Sequence, residues 1–342
     1  MLPPNSPFSP LPSPDRVSSL LLWHQGALGD LLLAGPALKA IRDHYPQARI
    51  TAVGHPERWG LLADTLELAG AWDGNEAVWA YLFTESRLPE RLRTRLTPFQ
   101  LALYFSPRPN SDLGAGLRRG GVGQVGWLPA FPEDGWESVA AHLGRHLTGL
   151  GVTMEQRPFR LVFKENRREN GIPPLPEGPL AAVAPGSGHA VKNWPLSHYY
   201  ELTRALAWER QMKILWLAGP AETALLPYLE GIAAAQGHTL VSGLNLRQMA
   251  GVLSRCRLYI GNDGGLTHLA AAAGAGAVLA LFGPTDPRIW APWGEQVRVL
   301  QAPCKTAPCV QAREISCSAP RRLRDLAPEE VLAAAVALLD AG

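Results

Sequence analysis

Cysteine is scarce in this chain: four in 342 residues, three of them Cys304, Cys309 and Cys317. That density excludes a secreted scaffold held together by disulfides. An excess of charge of one sign is also missing. The 32 basic and 30 acidic residues leave a formal net charge of +2, and neither half of the chain is a polyelectrolyte. A general nucleic-acid binder needs a basic face, so no nucleic-acid partner is expected. There is no long hydrophobic run. The longest uncharged small-apolar stretch, 269–282, contains glycines and is shorter than the roughly 20 residues that cross a bilayer. Lysine is rare as well, with only Lys39, Lys164, Lys192, Lys213 and Lys305 among the 32 basic residues, so a lysine in a glycine loop stands out.

What is present is apolar and periodic. At 46% hydrophobic and 18% charged the chain is too apolar to be disordered, and its length suits two domains. Residues 1–16 are the exception: six prolines, no basic region and no continuous apolar core. They read as a disordered lead-in, not as a signal peptide, and the protein reads as soluble and cytoplasmic. Short β-type runs then alternate with longer helical patterns, the signature of an α/β fold with parallel sheets. Strands are expected at 19–24, 49–53, 78–83, 101–105 and 122–127, and helices at 31–45, 61–68 and 138–150. Four prolines at 172–179 form the linker candidate. The pattern restarts with strands at 180–184, 213–218, 239–241, 258–260 and 277–282, and helices at 195–210, 221–231, 246–256 and 266–273. A last helix, about 328–339, either closes the second unit or packs back on the first. The division is therefore a first unit at 17–171 and a second at 180–342. A ligand cleft is expected between them, lined by loops at the carboxyl ends of the strands.

Four loops carry candidate chemistry. In G-A-L-G-D, residues 26–30, the glycines allow a tight turn, and Asp30 reads either as a first-turn acid facing the helix dipole or as a general base. The spacing is neither G-x-G-x-x-G nor an NTPase loop. In P-G-S-G-H-A-V-K-N-W-P, residues 185–195, the amides, the Ser187 hydroxyl and the Lys192 ammonium suit an anion; the plain alternative is a solvated Lys192 and a packing Trp194. G-N-D-G-G-L-T-H, residues 261–268, turns from a strand into a small-residue helix, with the amides of Gly264, Gly265, Leu266 and Thr267 free for phosphate. His268 is a ligand contact or a buried structural histidine. Glu222, in G-P-A-E, could accept from ribose hydroxyls or serve as a helix N-terminal acid. The C-x4-C-x7-C spacing of Cys304, Cys309 and Cys317 is not that of structural zinc, and no metal is expected. Arg87, Arg91, Arg93 and Arg95 read as a solvated face or as contacts to an anionic acceptor.

Together, and in this order, these motifs resemble glycosyltransferase family 9, the ADP-heptose:lipopolysaccharide heptosyltransferases. The resemblance runs from about 19 to 317 and includes G-A-L-G-D-L-L-L-A-G-P-A-L-K-A-I-R, P-G-S, K-N-W-P, G-P-A-E, the helix with Leu246 and Met249, G-N-D-G-G-L-T-H-L-A-A-A and L-F-G-P-T-D-P. It implies a GT-B fold of two Rossmann-like domains with parallel sheets facing a central cleft. The first domain would hold the acceptor and the second the sugar nucleotide. It also implies an inverting transfer from an ADP-heptose-like donor to a glycolipid or glycan acceptor at the inner membrane face, with no metal and no other cofactor. On that reading the enzyme is a monomer or weak oligomer, cytoplasmic or peripheral to the inner membrane. Asp30 matches the catalytic base and Lys192 the diphosphate cation. Gly29, Ser187, Glu222, Met249, Asp263, Gly264, Gly265, Leu266, Thr267 and His268 fall in the nucleotide-sugar site, and Arg91, Arg93 and Arg95 on the acceptor side. One departure stands out: Gly264 replaces the Ser or Thr that often follows the aspartate. The rival readings are a UDP-sugar epimerase or a transferase using another nucleotide, or a sugar-nucleotide-binding protein without turnover.

Overall fold

The computed structural model describes residues 10–133, 137–164, 171–303, 310–311, 314–315 and 323–341. The chain forms two compact units, Met1–Arg157 and Pro158–Gly342. The proline-rich stretch at 172–179 lies within the second. The chain joins that unit early because Leu161 donates its amide to the Ala272 carbonyl (2.9 Å), and Arg160 pairs with Glu295 (3.2 Å).

The first unit is a five-stranded sheet in the order β3-β2-β1-β4-β5, every pair parallel. The strands are β1 (Ser19–Trp23), β2 (Arg49–Gly54), β3 (Leu68–Asp73), β4 (Leu101–Ser106) and β5 (Gln124–Pro129). The central strand reads S-L-L-L-W, a continuous apolar run, because helices cover both faces of a parallel sheet. The strand expected at 78–83 is instead a 3-10 helix, Ala77–Phe83. Val78, Trp79 and Leu82 point inward while Ala80, Tyr81 and Phe83 face solvent, a spacing no strand can produce. The edge strand is L-A-G-A-W-D, whose alanines, glycine and half-burial give a weak strand pattern. The expected helix at 61–68 starts earlier, as Pro56–Leu62 with proline in its first turn. The helix expected at 31–45 is two, Leu28–Leu33 and Gly35–His44, broken where Gly35 and Pro36 restart the ladder. Ser111–Arg119 is a helix without a sequence-based expectation; the Asn110 side chain caps it by accepting the Leu113 amide (2.9 Å). Part of the lead-in is ordered. Pro14–Arg16 forms a 3-10 turn, Tyr45 donates its hydroxyl to the Pro12 carbonyl (2.9 Å), and Gln124 reaches the Pro10 carbonyl (3.2 Å).

The second unit is a six-stranded sheet in the order β11-β10-β9-β6-β7-β8, again all parallel. Its strands are β6 (Leu180–Ala184), β7 (Lys213–Ala218), β8 (Thr239–Ser242), β9 (Leu258–Asn262), β10 (Ala277–Phe282) and β11 (Val297–Gln301). The expected helix at 221–231 is a 3-10 turn, Pro220–Leu225, followed by Leu226–Gln236. The last helix, Pro328–Ala341, buries Val331, Ala334, Ala335 and Leu339 in one core with Leu202, Leu206 and Trp216. Of the two placements open to it, it takes the second unit. Because β6, β7, β9 and β10 are parallel, their carboxyl ends bring the loops at 185–195, 219–222, 263–265 and 283–286 to one edge.

Candidate active site

Asn262, the last residue of β9, holds that edge together. Its side-chain oxygen accepts the Trp194 amide (3.0 Å) and the Tyr199 hydroxyl (3.1 Å). Its side-chain nitrogen donates to the carbonyls of Pro185 (2.7 Å) and, more weakly, Gly186 (3.4 Å). Asn262 is 1% exposed, so both loops of the P-G-S…K-N-W-P segment are fixed from inside. Glu222, also 1% exposed, does the same for a neighbouring pair of loops. One carboxylate oxygen accepts the Gly186 amide (3.0 Å) and the other the Gly219 amide (2.8 Å). Burial pushes its carboxyl above the usual range, while the two amides pull the other way. A Cβ at Gly186 would stand 2.4 Å from that carboxylate, so only glycine fits. Glu222 therefore ties the two loops together, and each of its carboxylate oxygens keeps a lone pair that a hydroxyl could use.

Next to these loops, Lys192 and Asp263 form an ion pair (2.7 Å); the lysine side chain is 27% exposed and the aspartate 7%. Thr285 donates its hydroxyl to the same Asp263 oxygen (2.6 Å). The helix Gly265–Ala273 begins immediately afterwards. The first amides of a helix have no intrahelical acceptor, so those of Gly265 and Leu266 suit an anion beside Lys192. Thr267 does not join them. Its amide bonds the Gly264 carbonyl (3.1 Å), and its buried hydroxyl donates to the Asn262 carbonyl and meets the Tyr259 hydroxyl (3.1 Å). Ser187 is likewise engaged: its hydroxyl donates to the Asn193 side chain (2.6 Å) and accepts the His189 amide (3.3 Å). His268 is buried in the helix's first turn, and Met249 is buried in the helix Leu246–Leu253. Gly264 has extended backbone (φ −169°), and a Cβ there would make only ordinary contacts, with Ser187 at 3.6 Å and the Asn262 carbonyl at 3.8 Å. Neither conformation nor space demands glycine at that position.

Asp30 and Gly29 belong to the first unit, in the helix Leu28–Leu33 after β1. Asp30 accepts the Ala27 amide (3.0 Å), as a first-turn acid does, and stays partly exposed. The turn is held by His24, whose Nδ1 accepts the Gly26 amide (3.2 Å), and by Arg58, which donates to the Gly26 carbonyl (2.8 Å). The arginine cluster divides. Arg95 makes a bidentate pair with Glu76 (2.8 and 3.1 Å) and lies over the rings of Trp72 (4.3 Å) and Trp79 (4.8 Å), which fixes its position. Arg93 pairs with Glu90 (3.4 Å). Arg91 is exposed and lines, with Arg95, Glu76, Ala77 and Val78, a cavity of about 290 Å³.

Sequence reasoning missed Asn262, Thr285 and Arg58. Asn262 had a signal: asparagine is disfavoured inside strands, so one closing a buried strand is there for its side chain. Among the described residues, no group of three or more His, Cys, Asp or Glu side chains could hold a metal. Cys304, Cys309 and Cys317 lie outside the described residues. Cys256 is buried and its thiol is pushed up to about 12 by burial, which leaves it unreactive.

Two Rossmann-like units, with ligand-competent loops at the carboxyl edges of parallel sheets, define the GT-B class. The fold is shared with a glycosyltransferase family 9 protein from Veillonella parvula (TM-score 0.74, 16% identity, 95% of this chain and 98% of that one). It is shared too with Escherichia coli heptosyltransferase WaaC solved with ADP (TM-score 0.71, 17% identity, 94% and 99%). In sequence, the chain is similar to lipopolysaccharide heptosyltransferase 2 of Salmonella typhimurium, 29% identical over 304 residues, which cover 80% of this chain and 85% of the relative. The model of glycosyltransferase family 9 (heptosyltransferase) matches residues 132–321, and the chain belongs to that family.

Proposed function

We propose that this glycosyltransferase moves a heptose from ADP-heptose to a lipopolysaccharide-type acceptor, with inversion and without a metal. The observation that carries the reading is Lys192, paired with Asp263 two residues before the helix that opens at Gly265, in a member of family 9. An ammonium and a helix N-terminus are what a departing diphosphate needs as its charge grows, and they supply the stabilisation that a divalent cation gives in other transferases. The relative from Salmonella is named for lipopolysaccharide, and the E. coli neighbour was solved with ADP; both support the donor and acceptor classes. In the proposed step the acceptor hydroxyl oxygen bonds to the anomeric carbon from the face opposite the nucleotide. The bond from that carbon to the β-phosphate oxygen breaks, and ADP leaves with the electron pair. Asp30 takes the hydroxyl proton. The Arg91 guanidinium is the proposed contact for acceptor phosphate. No helix among the described residues is long and apolar enough to cross a membrane, and we read the enzyme as a cytoplasmic protein that meets its acceptor at the membrane surface.

The test is Asp30→Asn, which keeps an oxygen for the Ala27 amide while removing the base. General-base catalysis contributes about 10²–10⁴-fold. Turnover should fall at least about a hundredfold with ADP affinity unchanged. Near-normal turnover would refute the assignment. Binding of UDP or GDP in preference to ADP would move the donor to the epimerase-like or other-nucleotide reading.

A further inference from the structure

The 3-10 helix Ala77–Phe83 presents solvent with a face of unusual composition. Its exposed residues are Ala77, Ala80, Tyr81 and Phe83, with no charged or polar chain among them except the Tyr81 hydroxyl. Tyr81 is 41% exposed and Phe83 47%. The opposite face is rigidly seated: Trp79 donates its indole N–H to the Asp73 carbonyl (2.7 Å) and packs edge-on against Trp23 (5.0 Å). From the helix Ser111–Arg119, Arg119 holds the end of the segment through the Leu82 carbonyl (3.2 Å) and the Thr84 carbonyl. The aromatic pair is therefore displayed by a fixed support. Arg87 and Arg91 are exposed just beyond it. The nearby acids are largely matched, Glu76 by Arg95 and Glu90 by Arg93, which leaves Glu85 against those two arginines. The segment leaves the carboxyl edge of the first sheet directly after β3. That is also the edge from which the Asp30 turn rises, and Gln25 ties the two loops together through the Gly74 carbonyl (2.9 Å).

We propose that this face docks the first unit onto an anionic lipid bilayer, Tyr81 and Phe83 entering the headgroup layer and Arg87 meeting lipid phosphates. Aromatic rings with one wet end settle at that depth, and basic side chains at such a surface are attracted by about 1 kcal/mol each. The proposal deepens the reading of a lipid-linked acceptor and rests on it: a surface so placed would bring the acceptor edge of the first sheet to the membrane.

Vesicle sedimentation tests it, using phosphatidylcholine alone and phosphatidylcholine mixed with phosphatidylglycerol. The full chain should pellet with the anionic vesicles, weakly with the neutral ones, and less in high salt. The double variant Tyr81→Ser/Phe83→Ser should lose at least about tenfold in binding, with its melting temperature, ADP affinity and turnover on a water-soluble acceptor fragment unchanged. Arg87→Glu should lose about fivefold or more. Absence of binding by the unmodified chain, or equal binding by the double variant, overturns the proposal. If the unmodified chain ignores vesicles yet transfers heptose to the soluble fragment, the surface fails and the catalytic reading stands. If vesicle binding follows the expected pattern while no donor is consumed, the surface stands and the catalytic reading fails.

Discussion

Replacing Asn262 by alanine removes a side chain that touches no ligand in the proposed reaction, yet it should disable the donor site. Four hydrogen bonds disappear. The Tyr199 hydroxyl keeps a second partner, the Ala184 carbonyl at 3.3 Å. The Trp194 amide and the Pro185 carbonyl are left buried without the Asn262 partner. An orphaned buried polar group costs about 1–3 kcal/mol, so the two together cost about 2–6 kcal/mol. For a unit of this size each kcal/mol moves the melting temperature by roughly 2–4 °C, which gives a drop of roughly 4–24 °C. The loops at 185–195 carry Lys192 and would lose their common anchor, so ADP binding should weaken by about tenfold or more even well below the new melting temperature, since a misplaced charge-assisted bond forfeits about 1.5 kcal/mol or more. Calorimetric melting and an ADP titration measure the two effects separately. A melting shift under about 2 °C together with unchanged ADP affinity would show that Asn262 is not the anchor described above.

Three further outcomes follow from the geometry. Lys192→Met should weaken ADP binding by roughly ten- to a hundredfold, the worth of a charge-assisted contact; an unchanged dissociation constant would remove Lys192 from the donor site. Gly264→Ser has room for its Cβ and ordinary backbone. It should change stability by less than about 0.5 kcal/mol and tighten ADP severalfold by adding a donor; loss of binding would mean that the open space itself accommodates the ligand. His146, half-buried against His142 (rings 4.6 Å apart), is held down to about 4 by burial first and by the neighbouring cations His142 and Arg145 next, with Glu137 opposing. A depressed histidine stabilises the fold above its unfolded value of about 6.5, and that contribution is lost as pH falls from there through about 4. Partial exposure reduces the effect to roughly 1–2 kcal/mol. Urea unfolding at pH 7 and pH 5 should show the loss, and His146→Gln should flatten it.

The second unit was the more legible. Strands β6, β7 and β10 have the bounds read from L-A-A-V-A, K-I-L-W-L-A and A-V-L-A-L-F, because strands buried on both faces are continuous apolar runs ended by glycine or proline. The first unit misled at its edge. A-V-W-A-Y-L-F is rich in β-formers, but tertiary packing made it a 3-10 helix with one wet face, and the weaker L-A-G-A-W-D became the strand. The motif P-G-S…K and the turn after β9 form loops at the carboxyl ends of β6 and β9, where the strand pattern put them. What could not be read was which polar groups face inward. Ser187, Glu222 and Thr267 have the chemistry of ligand contacts, and they also tie the loops together through hydrogen bonds to backbone and side chains of the protein. A sequence names donors and acceptors; only the packed loops decide whom they serve.

The Lys192–Asp263 pair has a kinetic consequence. Asp263 is the counter-ion of the lysine, so in the proposed reaction it would compete for the position of the diphosphate. A nucleotide would share the ammonium with it, which would lower affinity for donor and product alike. The same carboxylate, held by the Thr285 hydroxyl, would recapture the lysine as the proposed ADP product departs. On that reading the ion pair trades some grip on the donor for faster clearance of the spent nucleotide, and turnover gains wherever product release limits the cycle.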